Sequence, residues 1–350
     1  MKSEMKHEKK CEKKYGLIIF IAIILAVISL FIACAVGAAE VSLSDVWNIF
    51  CYKLGLKSEV ESSSYYIVWG LRLPRAITAI FIGGGLAVSG AVMQSVTKNV
   101  MADSYILGIS SGALAFVSVG AFILGQSISV GWSSSILAFA GALFAVFLVI
   151  AIGGTIGNMG STRIVLVGQA ISITLNAVAQ YFIYTSVAGN KTSSIVTWMM
   201  GSLAGVRWNN MFITVIGISI CSTALLFLSR AFDLIALGDD TATTLGVNVG
   251  LIKRVSLILV ALITGFAVAS SGIIGLVGFM IPHVVRAFAG SVHNRVFPIS
   301  FILGGIFLMW MDVLSRTILD PQEVPIGIFT ALCGGPFFIW VLRKRVKGEA

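Results

Sequence analysis

LIIFIAIILAVISLFIACAV, residues 17–36, runs for twenty positions without a charged side chain. At about 1.5 Å of rise per residue, a helix of that length reaches across a hydrocarbon core about 30 Å thick. It is read as a membrane span. The rival reading is a secretory signal, because lysine-rich residues 1–14 precede it and Val36-Gly37-Ala38-Ala39 resembles a small-residue cleavage site. A signal's apolar region is only about 7–15 residues long, which favours the span. A lipid anchor on Cys34, after Phe31-Ile32-Ala33, is weaker still.

Composition extends this reading to the whole chain. Of 350 residues, 57% are hydrophobic and 11% charged, with a mean hydropathy of +0.99. Soluble domains carry about 25% charged residues, so this chain cannot clothe a water-facing surface around one core. With 37 Gly but only 6 Pro, and no low-complexity tract, collagen-like and disordered classes fall away. Cys11, Cys34, Cys51, Cys221 and Cys333 lie far apart, with no C-x-x-C pair and no nearby His. Neither a disulfide framework nor a metal centre is expected, and no nucleic-acid partner is.

Further apolar runs at 76–95, 105–124, 135–152, 164–187, 211–229, 255–270, 275–285, 297–314 and 326–342 bring the spans to ten. Hydropathy alone would merge the seventh and eighth, but Ser270-Ser271-Gly272 offers a turn between them. Charge arbitrates, because cytoplasmic flanks collect Lys and Arg. With ten spans and the amino end inside, the inner segments hold Lys2, Lys6, Lys9, Lys10, Lys13, Lys14, Lys98, Arg163, Arg230, Lys253, Arg254, Arg286, Arg295, Arg343, Lys344, Arg345 and Lys347, which is 17 of 24. Merging the two runs would place Arg286, Arg295 and the terminal basic cluster outside. The expectation is an all-α, multi-pass bundle over residues 17–342, with cytoplasmic tails at 1–16 and 343–350. The eighth piece is short and holds Pro282, so it needs protein on its flanks to satisfy freed backbone groups.

No Lys, Arg, Asp or Glu occupies the middle third of any proposed span, where ion-driven carriers bury ionisable groups. Nor is there a G-x-x-x-x-G-K-[ST] phosphate loop. If the chain pumps, its energy comes from a partner.

Several local patterns stand out. Ala79, Gly83, Ala87, Ala91 and Ser95 recur every fourth residue, a stripe that lets helix backbones approach. Packing within the subunit is the expectation, a dimer seam the alternative. On the fifth span Gln169, Ser172, Asn176 and Gln180 fall within about 80° of one another at 100° per residue. They either line a wet path or bond between helices. Leu71-Arg72-Leu73-Pro74-Arg75 and Arg316 lie at the outer mouth, where Arg72, Arg75 and Arg316 are open to an acidic partner or to interfacial snorkelling. Between the sixth and seventh spans, Gly238, Asp239, Asp240, Thr241, Ala242, Thr244, Leu245 and Gly246 belong to a polar island within a loop at about 234–250. Asp239 or Asp240 can cap a short helix there and Gly246 can close it. Gly272, Gly275 and Gly278 suit a close-packed turn, lacking the strand and acidic residue of a dinucleotide loop. The scattered Ser, His and Asp residues suggest no catalytic grouping, and no enzyme is expected.

Leu71-Arg72-Leu73-Pro74-Arg75, Gly90-Ala91-Val92-Met93-Gln94, residues 99–103 and Leu107-Gly108-Ile109-Ser110-Ser111-Gly112-Ala113 together resemble the membrane permease of ABC importers for iron-siderophores, haem and cobalamin. In the second half, residues 238–246, Gly275-Leu276-Val277-Gly278-Phe279-Met280-Ile281-Pro282-His283, Asp312-Val313-Leu314-Ser315-Arg316 and Glu323-Val324-Pro325-Ile326-Gly327 match that family in the same order. Only the amino tail and residues 37–70 fall outside the resemblance. It implies a ten-helix subunit that dimerises, with an identical or paralogous permease, around a central path in the cell membrane. Two cytoplasmic ATPase subunits would bind ATP-Mg, with no cofactor on this chain, and a substrate-binding protein would sit above. By the same resemblance, residues 238–246 form the coupling helix, Arg72, Arg75 and Arg316 meet glutamates on the binding protein, and the fifth helix lines the path. Ferric siderophore is the first choice of cargo, then haem or cobalamin. An ion-coupled carrier or a membrane-embedded enzyme or structural subunit are the rival classes.

Overall fold

The computed structural model describes residues 2–57, 59–124, 132–154, 161–185 and 192–346. The last two positions of the proposed fifth span, 186 and 187, lie outside them, as does Lys347. Among the described residues, eight helices are long and apolar enough to cross a membrane, and two shorter apolar helices complete the ten expected segments. In chain order the elements are α1 Lys2–Ala35, α2 Leu43–Lys53, α3 Ser62–Tyr65, α4 Leu73–Thr97, α5 Ile109–Leu124, α6 Trp132–Gly154, α7 Ser161–Thr185 and α8 Thr192–Met199. There follow α9 Trp208–Phe227, α10 Ser229–Ala236, α11 Asp239–Thr244, α12 Val249–Ser271, α13 Val277–Ala289, α14 His293–Ser315 and α15 Ile326–Val346.

Helix α4 is the axle of the bundle. Of its most apolar window 83% is buried, against 22% for α1 and for α15, so α4 is central and those two are peripheral. The small-residue stripe explains this placement. Ala79, Ala87 and Ala91 are fully buried, and a Cβ on Gly83 would collide with the Gly304 carbonyl and stand 2.7 Å from the Leu308 side chain of α14. With lipid as apolar as the side chains, such close packing is the main attraction available. The stripe serves the subunit's own core, and the dimer-seam alternative is set aside.

Two segments depart from the expected spans. The second span begins upstream of residue 76: α3, a π-helical stretch Tyr66–Arg72 and α4 form one rod, Ser62–Thr97. Pro74 has no N–H to offer the preceding turn, and the wider π turn accommodates that loss. The LRLPR motif at the outer mouth is therefore itself helical, upstream of residue 76 where the sequence started the span. The third span is interrupted as well. A 3-10 turn Ser104–Leu107 precedes Gly108 at φ 74°, and only then does α5 begin.

The doubtful seventh and eighth runs are separate, as charge required. Helix α12 ends at Ser271, followed by Gly272 at φ 68°. Helix α13 has 13 residues, about 20 Å at helical rise, too short to cross alone. It starts from Leu276 in the left-handed region at φ 70°. The Leu276 N–H donates to Asp103 Oδ2 at 3.2 Å, and Tyr105 Oη donates to the Ile274 carbonyl at 2.9 Å. Side chains at the break in the third span thus satisfy backbone groups of the α12–α13 connection, as an apolar setting demands. Gly278 faces this junction: a Cβ there would stand 2.5 Å from Asp103 Oδ1.

Candidate functional site

Helices α10 and α11 form the polar island between α9 and α12. Gly238 occupies the position before α11 at φ 126°, with no side-chain cap, while Asp239 and Asp240 lie in its first turn. The aspartates therefore favour the positive helix end rather than cap it, correcting the expectation. At the far end, Gly246 takes φ 87° and the Val247 N–H donates to the Ala242 carbonyl at 3.0 Å, a Schellman closure. Ala242 is buried, whereas Asp240, Thr241, Thr243, Thr244, Leu245 and Gly246 are exposed. Beside them lies a hollow of about 700 Å³ whose walls include Asp240, Thr243, Asn248 and Arg254.

Asp239 attaches this element to the bundle. Its Oδ2 is 2.7 Å from Lys253 Nζ of α12 and its Oδ1 3.0 Å from Lys98 Nζ, at the end of α4. Partial burial works against ionisation, but the hydrogen bonds and charges of Lys253 and Lys98 outweigh it and hold Asp239 below the usual carboxylate range.

A second attachment was not visible in the sequence. Asp233 Oδ1 of α10 lies 2.6 Å from His293 Nδ1, and His293 Nε2 lies 2.6 Å from Ser95 Oγ of α4. The His293 backbone N–H also donates to Asp233 at 2.9 Å. Ser, His and Asp thus come together after all, in the order of a hydrolase triad. Ser95 Oγ, however, also donates to the Ala91 carbonyl at 2.9 Å, within the wall of its own helix. The chain of bonds ties α10, α4 and α14 together. No local motif announces it, because the three residues lie far apart in sequence.

The arginines gather at the opposite end of the bundle. Arg75 Nε lies 2.6 Å from Asp312 Oδ1, and its two terminal nitrogens meet Glu323 at 2.8 and 3.0 Å. Arg72 donates to the carbonyls of Cys34 (3.0 Å), Ala35 (2.6 Å) and Ala39 (2.5 Å). Arg316 donates to the Ala33 carbonyl at 2.5 Å and lies 3.6 Å from Asp312 Oδ2. All three are buried, with 6–7% exposure. Position alone left them open to a partner or to the interface, and the resemblance assigned them to the binding protein; here each is engaged inside the chain, Arg72 and Arg316 on carbonyls at and just beyond the end of α1 that need donors, and Arg75 on two carboxylates. Glu323, 38% exposed, is the accessible member of the cluster.

The polar stripe of α7 divides. Ser172 Oγ donates to the Gly168 carbonyl at 2.8 Å and Asn176 Nδ2 to Ser111 Oγ of α5 at 3.0 Å. Gln169 and Gln180 are exposed, alongside Thr174, Tyr181 and Tyr184. Bare amide groups are costly against lipid, so this face suits a partner subunit or a wet path. Among the described residues, no group of three or more His, Cys, Asp or Glu is placed to hold a metal ion.

Comparison with known proteins agrees with this architecture. The model of the FecCD transport family matches residues 22–344. The chain is 35% identical to the Fe(3+)-citrate import system permease protein YfmD of Bacillus subtilis, over 97% of this chain and 98% of that one. It is 34% identical to the hemin transport system permease protein HmuU of Yersinia pestis (93% and 95%) and 37% identical to the cobalamin import system permease protein BtuC of Halobacterium salinarum (84% and 78%). A solved inward-facing structure assigned to the metal-chelate type of ABC transporter superposes with a TM-score of 0.82 at 27% identity, covering 94% of this chain and 99% of the other. This multi-pass membrane protein belongs to the FecCD transport family.

Proposed function

We propose that the chain is the permease subunit of a binding-protein-dependent ABC importer, forming the path for a ferric siderophore or similar metal chelate. The observation that carries this reading is the α10–α11 element, fastened to three helices by Asp239 and Asp233 yet presenting Leu245 and the threonines outward. A docked engine could move α4 and α14 only through such an attachment. ATP-Mg belongs to two cytoplasmic ATPase subunits, and this chain binds no cofactor and catalyses nothing itself. Both termini are assigned to the cytoplasm, with the cell membrane as location.

The path is assigned to the interface with a second permease, identical or paralogous, along the exposed faces of α7 and α15. A large chelate requires a broad, weakly attractive surface so that it can leave again, and Gln169 and Gln180, with Thr174, Tyr181 and Tyr184, supply scattered uncharged polar groups on that face. The substrate-binding protein is assigned to the arginine end. There an incoming carboxylate would exchange with Glu323 on Arg75, with Arg72 and Arg316 beneath. Haem or cobalamin is the alternative cargo, on the strength of relatives with those names.

The test is reconstitution. Vesicles holding the chain, its copurifying ATPase and the cognate binding protein should accumulate chelate only with ATP. Uptake driven by an ion gradient after nucleotide depletion would refute the reading.

A further inference from the structure

Residues 37–57, which the quoted motifs do not reach although the family model spans them, fold around the short helix α2. Ser42 starts α2 with a reciprocal cap, accepting from the Asp45 N–H at 3.1 Å while Asp45 Oδ2 accepts from the Ser42 N–H at 3.3 Å. One face, Val46 and Ile49, is buried against Cys34, Val68 and Leu73. A second face is left uncovered. Leu43, Trp47, Phe50 and Leu54 fall within about 60° of one another at 100° per residue, and Leu43 and Trp47 are 60% exposed and Leu54 74%. Ser44, Asp45 and Asn48 lie on the other side of the helix.

What covers this stripe is indicated by its neighbours. Trp47 and Phe50 pack on Phe31, with ring centroids 6.1 and 5.1 Å apart. Phe31 belongs to α1, whose shaft exposes Phe20, Ile24, Val27 and Ile28. The aromatic line continues from Phe50 to Trp69 (6.0 Å), Trp208 (5.6 Å) and Phe212 (6.1 Å), reaching the start of α9. Six rings thus run in one row around this end of the bundle, and three of them are tryptophans, whose amphipathic rings settle at a membrane–water boundary. The Trp208 Nε1–H donates to the Trp69 carbonyl at 2.7 Å. Lys53 Nζ lies over the Tyr65 and Trp69 rings at 5.3 and 5.1 Å, its charge at the polar side of the row.

We infer that α2 is an interfacial helix bedded in the lipid leaflet at the arginine end, with Leu43, Trp47 and Leu54 among the acyl chains and Asp45 and Asn48 toward water. Three environments meet on three faces: bundle, lipid and solvent. The function is to hold the segment after α1 in place. Arg72 grips the Ala39 carbonyl just before α2, and Gly37 leaves room for the guanidinium, since a Cβ there would stand 2.7 Å from Nη2. A helix anchored in lipid fixes the roof over the arginine cluster. The inference requires only that the chain spans a bilayer, so it survives a failure of the cargo or engine assignment.

The test compares the full chain with Trp47→Phe in bilayer nanodiscs, reading the tryptophan emission lost with Trp47. That lost component should be blue-shifted, quenched by lipids brominated near the glycerol end of the acyl chain, and untouched by aqueous iodide. Quenching by iodide would overturn the inference by placing Trp47 in water. Quenching by neither reagent would overturn it too, by placing Trp47 against protein. Trp47 is largely exposed, so the variant keeps its fold.

Discussion

Lys253 Nζ, 1% exposed as a residue, lies 2.7 Å from Oδ2 of Asp239, the first residue of α11. A buried ammonium of α12 is thus neutralised by a carboxylate belonging to the element proposed to meet the ATPase. Asp239→Asn would remove the carboxylate charge that faces buried Lys253 and, at the end of α4, Lys98, at a cost of about 1–3 kcal/mol. ATP hydrolysis in the assembled transporter should persist while chelate accumulated per ATP falls about tenfold or more, the rate equivalent of about 1.4 kcal/mol. Unaltered transport per ATP would show that Asp239 does not carry the motion.

The same pair has a defined pH window. Its neighbours hold Asp239 below the ordinary carboxylate value of about 3.9. A carboxyl with a depressed native pKa contributes its full stabilisation above the unfolded value, and loses it as pH falls through the native one. The hydrogen-exchange protection factor across residues 239–244, corrected for the intrinsic pH dependence of exchange, should therefore stay constant from neutral pH down to about 4 and fall only below it. A fall near pH 6 would point to a different titrating group.

Leu245 closes α11 with 59% exposure. Leu245→Asp should change stability by no more than about 0.5 kcal/mol, as surface substitutions do, read as a nearly unchanged melting temperature in nanodiscs, and abolish copurification of the ATPase. Retained copurification and normal uptake would remove Leu245 from the docking surface.

Glycine positions give a sharper contrast. A Cβ on Gly90 of α4 would collide with the Gly278 backbone, whereas one on Gly335 of α15 meets nothing within 4 Å. Gly90→Ala should destabilise the bundle by about 1–3 kcal/mol, the usual range for overpacking, read as a lower melting temperature. Gly335→Ala should be silent in that measurement.

The difference between those glycines shows what the sequence could and could not disclose. The spans were legible because apolar runs end at recognisable stops, such as Gly272 after Ser271, and because a lysine or arginine marks each inner flank. The Ala79-to-Ser95 stripe announced tight packing by its period alone. The Ser95–His293–Asp233 chain was not legible, since nothing local distinguishes His293 from any other interfacial histidine until α4, α10 and α14 converge. The same applies to the arginines. Their position near the mouth was readable, but their acceptors are carbonyls at the end of α1 and carboxylates more than two hundred residues away, and only the fold brings these within reach.

That burial changes how docking at the arginine end should be tested. Charge reversal of Arg72 or Arg75 would tear out bonds that hold α1 and α14, confounding docking with folding. Asp312→Asn illustrates the hazard: with Asp312 1% exposed beside Arg75, loss of its charge should cost about 3–5 kcal/mol of stability. Glu323→Gln is the cleaner probe. Asp312 still neutralises Arg75, and the half-exposed Glu323 is the group that an incoming carboxylate must replace. Weakening that internal competitor should tighten the cognate binding protein about tenfold, equivalent to about 1.4 kcal/mol, with little change in melting temperature. Unchanged or weaker affinity would mean that the partner does not engage Arg75, and that the cluster serves only to fasten the ends of α1, α4 and α14.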